Sequence, residues 1–154
     1  MVRLRQAKID GIHVPDLEVD DPTGDAELLL IGWGSSYGPI GEACRRARRR
    51  GTKVAHAPIC AISTRSRPIL GEVLRRYPKV VAPELNLGQL AQVLRGKYLV
   101  DVQSVTKVKG VSFLADEIGR FIRAALAGRL AELEQDKTLV ARLSAATAGA
   151  GANG

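Results

Sequence analysis

Short apolar runs alternate with amphipathic stretches along this chain. Leu28-Leu29-Leu30-Ile31 is a continuous apolar run closed by a glycine loop, the pattern of a strand covered on both faces. Pro39, with serines just upstream, marks a helix start. From there to about Arg50, Ile40, Ala43, Cys44 and Ala47 line one helical face, and Gly51 stops the helix. Lys53-Val54-Ala55-His56-Ala57 reads as a second strand, and Leu70, Val73 and Leu74 mark a short helix ending near Tyr77-Pro78. Lys79-Val80-Val81-Ala82 reads as a third strand. A third helix is expected from Gly88 to Arg95 with Leu90, Val93 and Leu94 inward. Tyr98-Leu99-Val100-Asp101-Val102 reads as a fourth strand, and Leu114, Ile118, Phe121, Ile122 and Ala125 stripe a long fourth helix.

Strands alternating with helices predict an α/β fold: a mostly parallel open sheet with helices on both faces, a Rossmann-like three-layer arrangement. Right-handed crossovers set the hand of each βαβ unit. The regular part begins after the turn-forming cluster Asp21-Pro22-Thr23-Gly24, so residues 1–23 read as a lead-in and residues 24–128 as the domain. Residues 129–143, with Leu130, Leu133, Leu139 and Leu143, read as a polar C-terminal helix. Residues 144–154 are a small-residue tail, expected to be flexible because it has little to bury.

Length and composition narrow the function classes. A chain of 154 residues buries a core of its own, roughly 70% of the surface its unfolded form exposes. Apolar residues make up 45% and charged residues 25%, ordinary for a globular protein. No apolar run approaches the ~20 residues that span a bilayer, and no apolar stretch follows the basic start Met1-Val2-Arg3-Leu4-Arg5, so neither a membrane nor a secretory signal is expected. Cys44 and Cys60 are far apart and lack metal-ligand spacing, which fits a reduced, cytoplasmic protein with no metal site. The net charge of +7 directs attention to acidic partners.

The loop from Gly32 to Gly38 is the first candidate site. Gly32, Gly34, Ser35, Ser36 and Gly38 lie between a strand and a helix, where free backbone N–H groups can cradle phosphate. The dinucleotide fingerprint is incomplete: Tyr37 stands at its third glycine, and the acidic residue expected at the end of the second strand is absent, with His56 near its place. A tight packing turn is the favoured reading. The arginines Arg45, Arg46, Arg48, Arg49 and Arg50 could grip nucleic acid, but aromatics are only 4%, too few for base-stacking platforms, so a solvated helix face is preferred and no nucleic acid is expected. A docking face for an acidic protein ranks between the two. His13 and His56 are isolated, Cys44 lies on the apolar stripe as a packing residue, and Cys60 has no base near it. No catalytic residue is assigned.

Several segments in order resemble a known family. Gly34-Ser35, Gly38 and Glu42-Ala43 are similar to the strand–turn–helix of the α subunit of 2-oxoacid:ferredoxin oxidoreductases. Pro83-Glu84-Leu85-Asn86-Leu87-Gly88-Gln89-Leu90 resembles that family's E-x-N-x-x-G-Q-L segment. Gln103-Ser104-Val105-Thr106-Lys107-Val108-Lys109-Gly110 resembles the Q-x-x-T-K-x-x-G stretch of its 2-oxoglutarate-type members. The likeness runs over about residues 3–143. It implies a transketolase-C-terminal-like fold at the carboxy-terminal end of a longer subunit, with Met1 at a normally internal position. It also implies a heteromeric enzyme that oxidatively decarboxylates a 2-oxoacid, using thiamine diphosphate, Mg, an iron–sulfur cluster and coenzyme A, with ferredoxin as acceptor. Those groups are expected to be held by other domains or subunits, none by this chain.

A structural and assembly role follows. Asn86 is positioned to cap a helix, and Glu84, Asn86, Gln89, Gln103, Thr106 and Lys107 are expected to face the rest of the α subunit and the β subunit at the carboxyl edge of the sheet. Lys107→Glu is expected to spare folding and weaken assembly. The alternative is a free-standing binding module taking a nucleotide or coenzyme A phosphate on Gly32–Gly38. One stretch departs from the family, which usually continues Leu-Arg-His-Leu-Asn-Pro-Phe-Pro after the second strand. Here Pro58 to Ile69 differs, and GC-rich codons for His-Leu-Asn-Pro-Phe-Pro read one base out of register give the run Ile62 to Arg67. A compensated pair of frameshifts is the hypothesis, and residues 58–69 are expected to be the least ordered internal segment.

Overall fold

A computed structural model of the protein describes residues 17–59 and 67–133. Strand β1 is Leu28–Trp33, with every residue but the last buried. A 3-10 turn, Gly34–Ser36, leads into helix α1, Tyr37–Arg48. Strand β2 (Val54–Ile59), helix α2 (Arg67–Arg76), strand β3 (Lys79–Glu84), helix α3 (Gln89–Tyr98), strand β4 (Val102–Thr106) and helix α4 (Ala115–Leu126) follow. The four strands form one sheet in the order β2-β1-β3-β4, and every pair is parallel. The chain moves outward from β1 in both directions, so a topological switch point lies between the carboxyl ends of β1 and β3.

Alternate residues of β1 feed two cores, because side chains of a strand point to opposite faces. Leu29 and Ile31 join Leu70, Leu74, Leu90 and Leu94 from α2 and α3 on one face. Leu28 and Leu30 join Ile40, Cys44, Ile118 and Ile122 from α1 and α4 on the other. This is the predicted three-layer α/β arrangement, and it explains why the strands read as continuous apolar runs.

Several local expectations need correction. The fourth strand is not Tyr98–Val102 but Val102–Thr106. Tyr98 closes α3 instead, packing on Gly71, where a Cβ would come within 2.8 Å of its ring. Leu99 then takes a left-handed conformation, φ 55°, which breaks the run and leaves its side chain exposed. Val93 and Leu114 are exposed rather than inward. Leu114 precedes the first turn of α4, and its N–H donates to the Glu117 carboxylate at 2.7 Å.

The chain ahead of residue 24 already takes part in the fold. Leu17 and Val19 pack against the core, and Asp20 exchanges backbone hydrogen bonds with His56 in an antiparallel bridge along the β2 edge. Lys79 Nζ donates to the carbonyls of Ala125 and Leu126, closing the C-terminus of α4. Residues 130–133 are helical, with Leu130 buried; Leu139, Leu143 and residues 144–154 lie outside the described residues. The segment singled out at 58–69 also falls mostly outside them. Its two ends are regular: Pro58 and Ile59 complete β2, and Arg67 to Ile69 begin α2. No helix among the described residues is long and apolar enough to cross a membrane.

Candidate functional site

The carboxyl edge of the sheet gathers most of the residues singled out from the sequence. The turn after β1 and the loop after β3 flank the switch point and line one groove of about 310 Å³ with Trp33, Gly34, Ser35, Ser36, Leu85 and Asn86. The glycines of this turn differ in what they answer to, and Gly32 answers to packing. A Cβ on Gly32 would lie 2.4 Å from Ile40 Cδ1 and 2.9 Å from Ser36 Oγ, so the side chain is missing where α1 crosses the strand end. Gly34 has φ +58°, a left-handed conformation that starts the turn. The Ser36 hydroxyl is buried and donates to the Trp33 carbonyl at 2.7 Å, which takes it out of any ligand contact. Gly38 has open space beside it and lines a different hollow, with His56.

The loop after β3 is organised by two acceptors. Asn86 Oδ1 accepts from the N–H groups of Gly88 and Gln89 at 2.8 and 2.9 Å. Glu84, fully buried, reaches one turn further: its carboxylate accepts from Leu90 N–H at 2.7 Å, Ala91 N–H at 3.0 Å and Ser104 Oγ at 3.2 Å. An anionic acceptor at the first turn of α3 satisfies donors that no helical carbonyl can reach and complements the helix dipole. Glu84 therefore serves the interior rather than the surface expected of it. Gln89 and Gln103 are exposed, and Asn86 and Thr106 are half-buried.

Lys107 is also more committed than its sequence suggests. Its ammonium donates to Glu117 at 2.7 Å and to the Ser112 carbonyl at 2.9 Å, and lies 5.5 Å from the centre of the Phe113 ring. Burial pushes the Glu117 carboxyl up, but the Leu114 N–H and Lys107 outweigh it and hold the group below its ordinary value. Lys107→Glu is therefore expected to destabilise the fold by about 2 kcal/mol, because it removes charge-assisted bonds and sets two carboxylates together. A urea midpoint within about 0.5 kcal/mol of the parent, the scale of an ordinary surface change, would restore the view of Lys107 as a free surface charge.

Sequence reading missed the apolar side of this edge. Trp33, Tyr37, Leu87, Val108 and Val111 are all exposed, Leu87 by 78%. They lie at or just after strand ends, and no period in the sequence marks them. His56 is a packed histidine. It is 3% exposed, its Nε2 has no hydrogen-bond partner among the described residues, and its ring lies 5.4 Å from that of Tyr37. Burial drives its pKa down from 6.5 to about 4, against the pull of Asp20. Cys44 is buried on the α1 stripe, its thiol pushed up to about 12 by burial, and so is unreactive at neutral pH.

Known proteins bear out the resemblance read from the sequence. The chain is 92% identical over all 154 residues to the 2-oxoglutarate oxidoreductase subunit KorA of Mycobacterium tuberculosis. This chain matches a 2-oxoglutarate oxidoreductase α subunit along its whole length. It spans 23% of that relative and 20% of the α subunit of 2-oxoacid:ferredoxin oxidoreductase 2 of Aeropyrum pernix, to which it is 29% identical over 128 residues. Among solved structures it is similar to the 2-oxoglutarate:ferredoxin oxidoreductase from Magnetococcus marinus, with TM-score 0.68 and 25% identity, over 73% of this chain and 20% of that one. A split-gene transketolase shares the fold at TM-score 0.52 and 18% identity, over 76% of this chain and 44% of that one. No family model matches.

The residues present do not fit the groups that the family implies. An iron–sulfur cluster takes four thiolates, and the chain has two cysteines. Among the described residues no three His, Cys, Asp or Glu side chains come together as metal ligands. Among the described residues the groove at the Gly34–Ser36 turn offers a diphosphate no cation, and the Ser36 hydroxyl is committed to the Trp33 carbonyl, which leaves the exposed Ser35 hydroxyl.

Proposed function

We propose that this chain is a structural and assembly domain of the α subunit of a cytoplasmic 2-oxoglutarate:ferredoxin oxidoreductase. The match to KorA over the whole chain, as 23% of that subunit, carries the reading. The complete enzyme would oxidatively decarboxylate 2-oxoglutarate to the acyl-coenzyme A and reduce ferredoxin. Thiamine diphosphate, Mg, the cluster and coenzyme A would be held by other domains or by the β subunit. The docking face of this domain would be the carboxyl edge, where exposed Trp33, Tyr37 and Leu87 stand beside Asn86, Gln89, Gln103 and Thr106. An apolar centre with polar neighbours is the composition of a protein interface.

Leu87→Glu in the full α subunit tests this face, since Leu87 is exposed and contributes little to the domain itself. Native mass spectrometry of the subunits mixed at micromolar concentration should show assembly with the β subunit weakened at least tenfold, with the melting temperature of the domain unchanged. Assembly equal to the parent would remove the carboxyl edge as the interface. The chain alone should reduce no viologen with 2-oxoglutarate, coenzyme A, thiamine diphosphate and Mg. Turnover above the blank would overturn the assembly reading itself.

A further inference from the structure

The outer faces of α1 and α4 leave a groove of about 450 Å³ between the two helices. Half-buried Ala47, Ala115 and Gly119 form its floor. Its rims carry Arg46 and Arg50 from α1 and the turn after it, and Arg120 and Arg123 from α4. Asp116, the single carboxylate among the described residues lining the groove, is paired with Arg46 at 3.1 Å, and Arg46 also holds Glu42. Arg50, Arg120 and Arg123 are exposed and form no ion pair among the described residues. Arg120 feels the Glu117 carboxylate one turn back on α4, but positive charge is still in excess along the groove, and such an excess raises the local potential and draws in an anionic partner.

Gly119 adds a second observation. It lies inside α4, where glycine weakens a helix relative to alanine. Among the described residues a Cβ there would meet only Arg123 Nη1, at 3.8 Å, so none of them demands the missing side chain. The bare backbone lets an outside element approach the helix closely.

We propose that this groove docks an acidic amphipathic helix of a partner polypeptide, with small apolar residues on the Ala47–Gly119 floor and carboxylates on Arg50, Arg120 and Arg123. The arginines are strung along two helices at spacings of three and four residues rather than converging on one point. Carboxylates on a helix repeat at the same spacings. A lone phosphate would meet only part of this array and would leave the apolar floor unused. The inference is independent of the carboxyl-edge interface.

The probe is a fluorescein-labelled synthetic helix of alanine, leucine and glutamate, with its glutamates at i and i+4 on both flanks of an alanine face. Anisotropy with the 154-residue chain should show binding that weakens as salt rises. Arg120→Glu with Arg123→Glu should weaken it at least tenfold and confer binding to the same helix carrying lysines. Gly119→Gln should weaken it several-fold while raising or preserving the melting temperature. Arg76→Glu with Arg95→Glu, on α2 and α3, should leave affinity within twofold. Equal losses from the two charge-reversed pairs would overturn the proposal in favour of bare net charge. Displacement of the helix by inorganic pyrophosphate at lower concentration than by unlabelled helix would overturn it in favour of a phosphate site.

Discussion

Glu84→Leu should destabilise the domain by about 4 kcal/mol, the largest single effect expected here. The carboxylate is wholly buried and is the acceptor for Leu90 N–H, Ala91 N–H and Ser104 Oγ. Leucine fills the volume but accepts nothing, so two backbone donors lose their partner at a buried site. Each buried donor left unsatisfied costs roughly 1–3 kcal/mol, and the dipole of α3 loses its negative counterpart as well. Glu84→Gln keeps one acceptor oxygen and turns an NH₂ group towards the remaining donor, so about half the loss is expected. Chemical denaturation of the three proteins checks the order. A Glu84→Leu variant within about 1 kcal/mol of the parent would mean that α3 finds other acceptors and that Glu84 is not what starts it. At the usual 5–15 kcal/mol of total stability, the expected loss is a large share of the whole.

Glu84 also shows where sequence reasoning stops. The runs Leu28–Ile31, Val54–Ala57 and Lys79–Ala82 were legible because a parallel strand covered on both faces must be apolar throughout. The stripes of α1 and α4 were legible because one helical face meets the sheet. Strand β4 was not, for two reasons. It is an edge strand that carries Gln103, Ser104 and Thr106, while the strand-like run before it is broken by Tyr98 packing on Gly71, a contact between α3 and α2 that no local pattern encodes. A carboxylate after a strand reads as surface, and only the fold shows Glu84 turned inward onto the amides of α3. Lys107 misled in the same way, since its partner Glu117 lies ten residues on, across a loop. The family segments nevertheless fall at strand ends, where the structure gathers Gly34, Ser35, Ser36 and Asn86 on one groove.

His56 should make stability depend on pH between about 6.5 and 4. The imidazole is buried in the edge strand β2, beneath the strap from Leu17 to Asp21, and Nε2 has no partner among the described residues. Burial is the main cause of its low pKa, about 4 against 6.5; nearby Arg48 and Arg45 add to it, and Asp20 opposes it. The folded state thus binds the proton less readily than the unfolded chain. Above pH 6.5 the ring is neutral in both states and the stability is full. As the pH falls the unfolded chain takes up the proton first, and stability declines until the folded ring is protonated too, near pH 4. At roughly 1.4 kcal/mol per tenfold difference in proton affinity, the loss across this window is about 3 kcal/mol. Asp20 does not account for the same slope: its bond to Arg48 holds its pKa below 3.8, so its contribution is lost at lower pH. His56→Leu removes the titrating group and an unpaired polar atom together. It should leave stability at pH 7 nearly unchanged and flatten the profile between pH 6.5 and 4. Urea unfolding at half-unit steps of pH decides it. A parent profile already flat in that window, or a variant with the same slope as the parent, would mean that His56 is solvated in the folded protein and that the strap from Leu17 to Asp21 does not seal the edge of the sheet.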